Sequence, residues 1–336
     1  MKPDPKLYPW ADRLEPGMTI GSDPGYPVGE YLDLFEERTF PAIDPSVGDL
    51  TYYVYDPTRH GMPADRPYPV LFALHGAGNA LAGKLAVNYS GMELFASPDY
   101  QQKLGGAYIV CPIANEYRGE DGSSRNTWMT PKGSPDLSGY SPALRKLAQS
   151  MGNSRLASLL GTESVYTATL LALLKEVRSG FACPGKTLLA GTSAGGYAAW
   201  TLLAAAPELF DAALLMAPAY LPPDAPVEKL AAQGLPMLLC HGRNDELVPF
   251  AWTVEPHLPR YQAMPDLTLY LPELVMNRDG SVASNLSGIQ MGQHCINNAV
   301  QNDLLFADGT PMCALLPEGV TGWMRRHLQS GKECCL

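Results

Sequence analysis

From Pro67 onward the chain alternates short, uninterrupted apolar runs with segments of helical period. The runs are PYPVLFALHG, GAYIVCPIA, KTLLAG, DAALLMAPAY, LPMLLCHG and LTLYLPEL. Strands that lack polar alternation suit burial on both faces, as in a parallel sheet covered by helices. Between two of them Leu170, Leu174, Val177 and Phe181 recur at helical spacing and make one apolar face. The Ala- and Leu-rich stretch from Gly195 to Phe210 reads as the next helix. Strand, helix, strand, helix predicts an α/β domain with a mostly parallel, doubly wound sheet and right-handed crossovers. Upstream, ERTFPAI and GDLTYYVYDP read as a strand pair.

The same pattern divides the chain into an irregular N-terminal segment at 1–40, a single α/β domain at 41–330 and a tail at 331–336. No internal repeat or proline-rich linker breaks the middle region. An insertion at about 115–163 separates a central strand from the helix before KTLLAG, and a connection of that length marks a lid or binding insertion. Its aromatic residues Tyr117, Trp128 and Tyr140 suit a cover over the acyl or alcohol pocket, with an exposed decorative loop as the alternative, and Trp128 is counted among the substrate contacts. A second aperiodic stretch runs from Val275 to Gln293.

Composition adds exclusions. Of 336 residues, 46% are apolar, enough for a large core. A net charge of -10 repels phosphate backbones and anionic membrane surfaces, so neither nucleic acid nor membrane is an expected partner. The opening MKPDPKLYPWADRLEPG has no apolar signal core, and the expected location is cytoplasmic. Seven scattered cysteines without CxxC spacing argue against a disulfide scaffold and a zinc site, so most are expected to be reduced core residues. Cys334 and Cys335 read as part of a frayed tail rather than a lipid anchor. The pattern does not reveal the oligomeric state.

Candidate chemistry centres on KTLLAGTSAGGYAAW. Gly191-Thr192-Ser193-Ala194-Gly195 fits G-x-S-x-G, where glycines let a strand turn sharply into a helix and lift the serine hydroxyl clear of the sheet. A neutral hydroxyl is a weak nucleophile and needs a base with something to orient it. Asp245 follows a buried strand in LLCHGRNDELVPF, with Glu246 as its nearest rival. Of the histidines after Ser193, His294 alone lies past the last expected strand and before a helical pattern. His75-Gly76-Ala77-Gly78 ends another strand, so Ala77 and Ala194 are placed as amide donors for an oxyanion, with Gly76 lining the same loop and His75 supporting it.

LHGAG, GTSAGG, HGRNDELVP and the late His294, in this order from Pro67 to Ile296, resemble the α/β-hydrolase superfamily. The likeness is greatest to esterases of the polyhydroxybutyrate-depolymerase and feruloyl or acetyl-xylan esterase kind, with dienelactone-hydrolase-like enzymes as neighbours. The resemblance implies an α/β-hydrolase fold, a Ser193, Asp245, His294 triad, and hydrolysis of a small-molecule ester without a cofactor or metal. The substrate it implies has a small or medium acyl group or an aromatic, feruloyl-like one. Acyl transfer or peptidase activity on the same triad, and a non-catalytic binding role, are the alternatives. In tannase-type relatives a cysteine after the histidine pairs with one before the serine; here Cys295 is present but Thr192 holds the second place, so that bridge cannot form. The long gap from Asp245 to His294 is read as an extra loop after the last strand.

Overall fold

In the computed structural model, which describes residues 8–22, 27–133, 137–150, 160, 163–286 and 289–329, the apolar runs become an eight-stranded sheet. Its strands in chain order are β1 (Glu36–Phe40), β2 (Leu50–Tyr55), β3 (Tyr68–Leu74), β4 (Tyr108–Pro112), β5 (Pro184–Thr192), β6 (Ala212–Met216), β7 (Met237–Cys240) and β8 (Leu267–Tyr270). Across the sheet they lie in the order β8-β7-β6-β5-β3-β4-β2-β1. Only β2 is antiparallel to its neighbours, and every pairing from β4 to β8 is parallel.

The lack of polar alternation has its physical reason here. All seven residues of β3 and all five of β6 are buried. Along β3, Val70, Phe72 and Leu74 enter one apolar core while Leu71 and Ala73 enter the other. The first core is closed by helices α2 (Thr167–Gly180), α3 (Ala194–Ala205) and α4 (Asp224–Gln233). The second is closed by α1 (Pro98–Leu104), α5 (Ile296–Gln301) and α6 (Gly319–Leu328). Helices on both faces leave the carboxyl ends of the parallel strands as the rim where a site can form.

One helix boundary differs from the expectations. α3 stops at Ala205 because Pro207, which cannot continue a helix, starts a separate turn at Pro207–Leu209. The expected upstream strand pair forms, with β1 starting at Glu36 and running antiparallel along β2. The insertion carries a helix at Pro142–Ser150, where SPALRKLAQSM has helical character, and a small hairpin, Tyr117–Arg118 against Ser124–Arg125. Finally, Ile20–Gly21 near the start runs parallel to Val282–Ala283 in the second aperiodic stretch.

Cys111, Cys240, Cys295 and Cys313 are free and buried, as expected of most of the set, whereas Cys183 is disulfide-bonded. Cys334 and Cys335 lie outside the described residues. Among the described residues no helix is long and apolar enough to cross a membrane.

Candidate active site

Ser193 sits where β5 passes into α3, at φ 53° and ψ -115°. A non-glycine residue held there costs about 1–3 kcal/mol and persists only when its surroundings impose it. They do so through main-chain bonds: Ser193 N donates to Met216 O at 2.9 Å, and Ala219 N donates to Ser193 O at 2.9 Å. The flanking glycines answer to sterics. A Cβ on Gly191 would lie 2.3 Å from Gly195 O, and one on Gly195 would lie 2.1 Å from Leu74 O. The G-x-S-x-G spacing therefore reflects the close approach of this turn to β3.

The loop after β3 lies directly opposite. A Cβ on Gly76 would stand 3.4 Å from Ser193 Cβ. His75 accepts from Ala114 N through Nε2 at 3.1 Å, so its proton is on Nδ1, which donates to Gly76 O at 2.7 Å. Burial pushes the His75 pKa down to about 4 and keeps the ring neutral. Gly76 O also accepts from Asn79 N at 3.3 Å. Both bonds fix the peptide plane between Gly76 and Ala77, and in a trans peptide the Ala77 N–H points away from that carbonyl. Ala194 N, at the first position of α3, has no partner within its helix.

Glu116 holds the far side of this loop. Its Oε2 accepts from Gly78 N at 2.6 Å, where Gly78 takes φ 80°. Burial pushes the Glu116 carboxyl up to about 7.

Trp128 is not in a substrate pocket. It is fully buried, tilted against His75 at 5.1 Å between ring centroids and edge-on to Tyr166 at 4.7 Å. The aromatic signal in the sequence marked a core pillar beneath the His75 loop. Trp128→Ala should destabilise the protein by about 3–5 kcal/mol through the cavity it leaves, which urea denaturation would measure. Tyr140 is buried too, with Leu144, Leu160 and Leu221, and its hydroxyl donates to Leu221 O. Tyr117 alone of the three is exposed.

The acid and the imidazole expected from the sequence meet each other. His294 Nδ1 and Asp245 Oδ2 are 2.7 Å apart, both side chains buried. Asp245 Oδ1 accepts from Leu247 N at 2.9 Å and Val248 N at 2.7 Å. His241 Nε2, which donates to Val248 O, stands 3.5 Å from Asp245 Oδ2. Burial alone would raise the Asp245 pKa, but the two imidazoles and these amide donors hold it below the usual carboxylate value. For His294 burial favours the neutral ring, yet the Asp245 charge and hydrogen bond, with Glu246 adding, outweigh it and raise the pKa above 6.5.

Asp245 follows β7 and His294 lies beyond β8, so both stand with Ser193 at the carboxyl rim of the sheet. Glu246, the rival acid, points elsewhere: its Oε2 accepts from His294 N at 3.1 Å and its Oε1 from Trp10 Nε1 at 3.1 Å. Sequence reasoning missed His241, Glu116 and Trp10. Each acts through a contact between segments far apart in the chain or through the fold of a turn, and no spacing encodes either. Ala219 and Val248, tied to Ser193 and Asp245 through their amides, pack with half-buried Met129 and Trp252 in a small apolar cluster.

No family model matches the chain, and no curated protein matches it. Among solved structures it is similar to a thermostable esterase at TM-score 0.53 and 18% identity, covering 81% of this chain and 61% of that one. The chain thus spans about three fifths of that esterase's length. An S-formylglutathione hydrolase from Agrobacterium tumefaciens matches at TM-score 0.45 and 16% identity, over 88% of this chain and 95% of that one. A ferulic acid esterase matches at TM-score 0.45 and 14% identity, over 71% and 89%.

Proposed function

Starting from an α/β-hydrolase fold, established by the strand order and the likeness at TM-score 0.53, we propose that this protein is a serine ester hydrolase working through an acyl-enzyme. The observation that carries the reading is the 2.7 Å bond between His294 Nδ1 and Asp245 Oδ2, at the rim where Ser193 stands in its strained turn. With its proton on Nδ1, His294 presents a basic Nε2. That nitrogen takes the Ser193 proton as Oγ attacks the ester carbonyl, and Asp245 stabilises the imidazolium. The Ala77 and Ala194 amides donate to the oxyanion. The imidazolium then protonates the leaving alcohol, and His294 activates a water that releases the acid.

The apolar cluster of Ala219, Val248, Met129 and Trp252 supports a small or medium acyl group, or an aromatic one, on the substrate. The esterase and hydrolase names of the structural neighbours agree with the reaction class.

A p-nitrophenyl ester panel, with serine-directed fluorophosphonate labelling mapped by mass spectrometry, tests the reading. The expected result is turnover and a label on the peptide holding Ser193; turnover with the label on another serine would overturn it. kcat/KM should rise with pH, because the base must be neutral. The midpoint should lie above 6.5, the side to which Asp245 moves His294. Glu116 titrates at about 7 and grips Gly78 in its ionised form, so Glu116→Gln should make that rise less steep. A midpoint well below 6.5 would contradict the assignment of His294 as base.

A further inference from the structure

The histidine stands on a stretch with little regular structure of its own, and three separate links run from it, or from its acid, to residues near the start of the chain. In the first, Glu246 spans His294 N and Trp10 Nε1 with its two oxygens. Asp245 thus takes the imidazole ring while the next residue takes the main chain of the same histidine. In the second, Arg13 pairs with Glu273, whose carbonyl accepts from Asn244 Nδ2 at 2.6 Å, one residue before the acid. In the third, Gly21 pairs with Ala283, and the Gln293 side chain bonds Ala283 O at 2.6 Å and Val275 N at 2.7 Å, one residue before the histidine.

Apolar packing holds the same contact. Trp10, 2% exposed, clusters with Leu274 and Val282, and Tyr8, Leu14, Ile20 and Met276 close around them. A tryptophan buried by a partner more than two hundred residues away, with its indole N–H used on a carboxylate beside the acid, is more than a frayed terminus. We propose that residues 8–21 form a latch in which Trp10, acting through Glu246, positions His294 for proton transfer. The inference rests on the serine-hydrolase reading for its kinetic consequence, but the latch itself is a statement about what holds residues 291 to 301.

Two variants separate the hydrogen bonds from the packing. Trp10→Phe keeps an aromatic ring in the cluster and removes only the N–H donor. Glu246→Gln keeps the shape, but its amide nitrogen must face one of two N–H donors, so one bond is lost. Both should lower kcat about tenfold or more with KM within about twofold, since misplacing a base by a fraction of an ångström penalises the transition state and not ground-state binding. Both should speed hydrogen exchange in residues 291 to 301 and leave the β3 and β5 amides protected.

Wild-type kcat and wild-type exchange in folded variants would overturn the latch. If Glu246→Gln fails to fold, Trp10→Phe decides alone. If the wild-type protein turns over no ester, the functional reading falls, while exchange in Trp10→Phe still decides whether the arm holds the histidine.

Discussion

Ser193→Ala reduces ester turnover by about a million-fold in kcat, the order expected when the nucleophile of an interdependent triad is removed. The fold is unaffected, because alanine keeps the Cβ that abuts Gly76 and meets the same positive φ as serine. Thermal unfolding should therefore coincide with that of the wild type. The variant should still bind substrate, since the Ala77 and Ala194 amides and the apolar cluster are untouched. A residual rate about 10³–10⁴ above that in water is expected from the oxyanion donors and binding alone. The decisive measurements are kcat for a p-nitrophenyl ester and the loss of fluorophosphonate labelling. Retention of a few per cent of wild-type kcat by a pure, folded variant would mean that another group attacks the carbonyl.

How far this site is legible in the sequence depends on which interactions leave a local trace. Glycine at positions 191 and 195 is demanded by backbone atoms two to three ångströms away, so the turn writes itself into consecutive letters. Strands buried on two faces likewise appear as apolar runs, and β3 to β8 follow from them. The meeting of Asp245 and His294 is legible as a carboxylate past a buried strand and a late histidine, the chain order in which α/β-hydrolases carry their acid and base.

Trp128 was misread for a physical reason. A large aromatic ring in an insertion has the same sequence signature whether it covers a ligand or props a loop, and only its contact with His75 distinguishes the two. The contact between Trp10 and Glu246 left no signal, since a hydrogen bond between positions 236 apart in the chain has no periodicity. The sequence overstates the length of α3 although Pro207 is visible in it, because the alanine- and leucine-rich run before that proline dominates the local pattern.

Asp245→Asn tests the least local part of the site. The Asp245 side chain has two different faces: Oδ1 accepts two main-chain N–H groups, and Oδ2 accepts the His294 ring. An asparagine there has one sensible orientation. Turning its NH₂ toward Leu247 N and Val248 N would set donor against donor, so the amide oxygen stays with them and the nitrogen faces His294. That nitrogen can only donate, which drives the imidazole proton from Nδ1 to Nε2, the position that must be empty to accept from Ser193. The base is then present, correctly placed and in the wrong tautomer. kcat should fall about 10⁴-fold with KM little changed. The ring also loses the charge and hydrogen bond that did most to lift its pKa, leaving burial, which lowers it, opposed by Glu246 alone, so the histidine should resist protonation to lower pH in a titration followed by imidazole NMR. Glu246→Gln, one residue along, loses one of its two N–H partners and leaves the tautomer alone, so its loss should be orders of magnitude smaller. Equal losses in the two variants would remove the distinction between Asp245 as the acid of the triad and Glu246 as its brace.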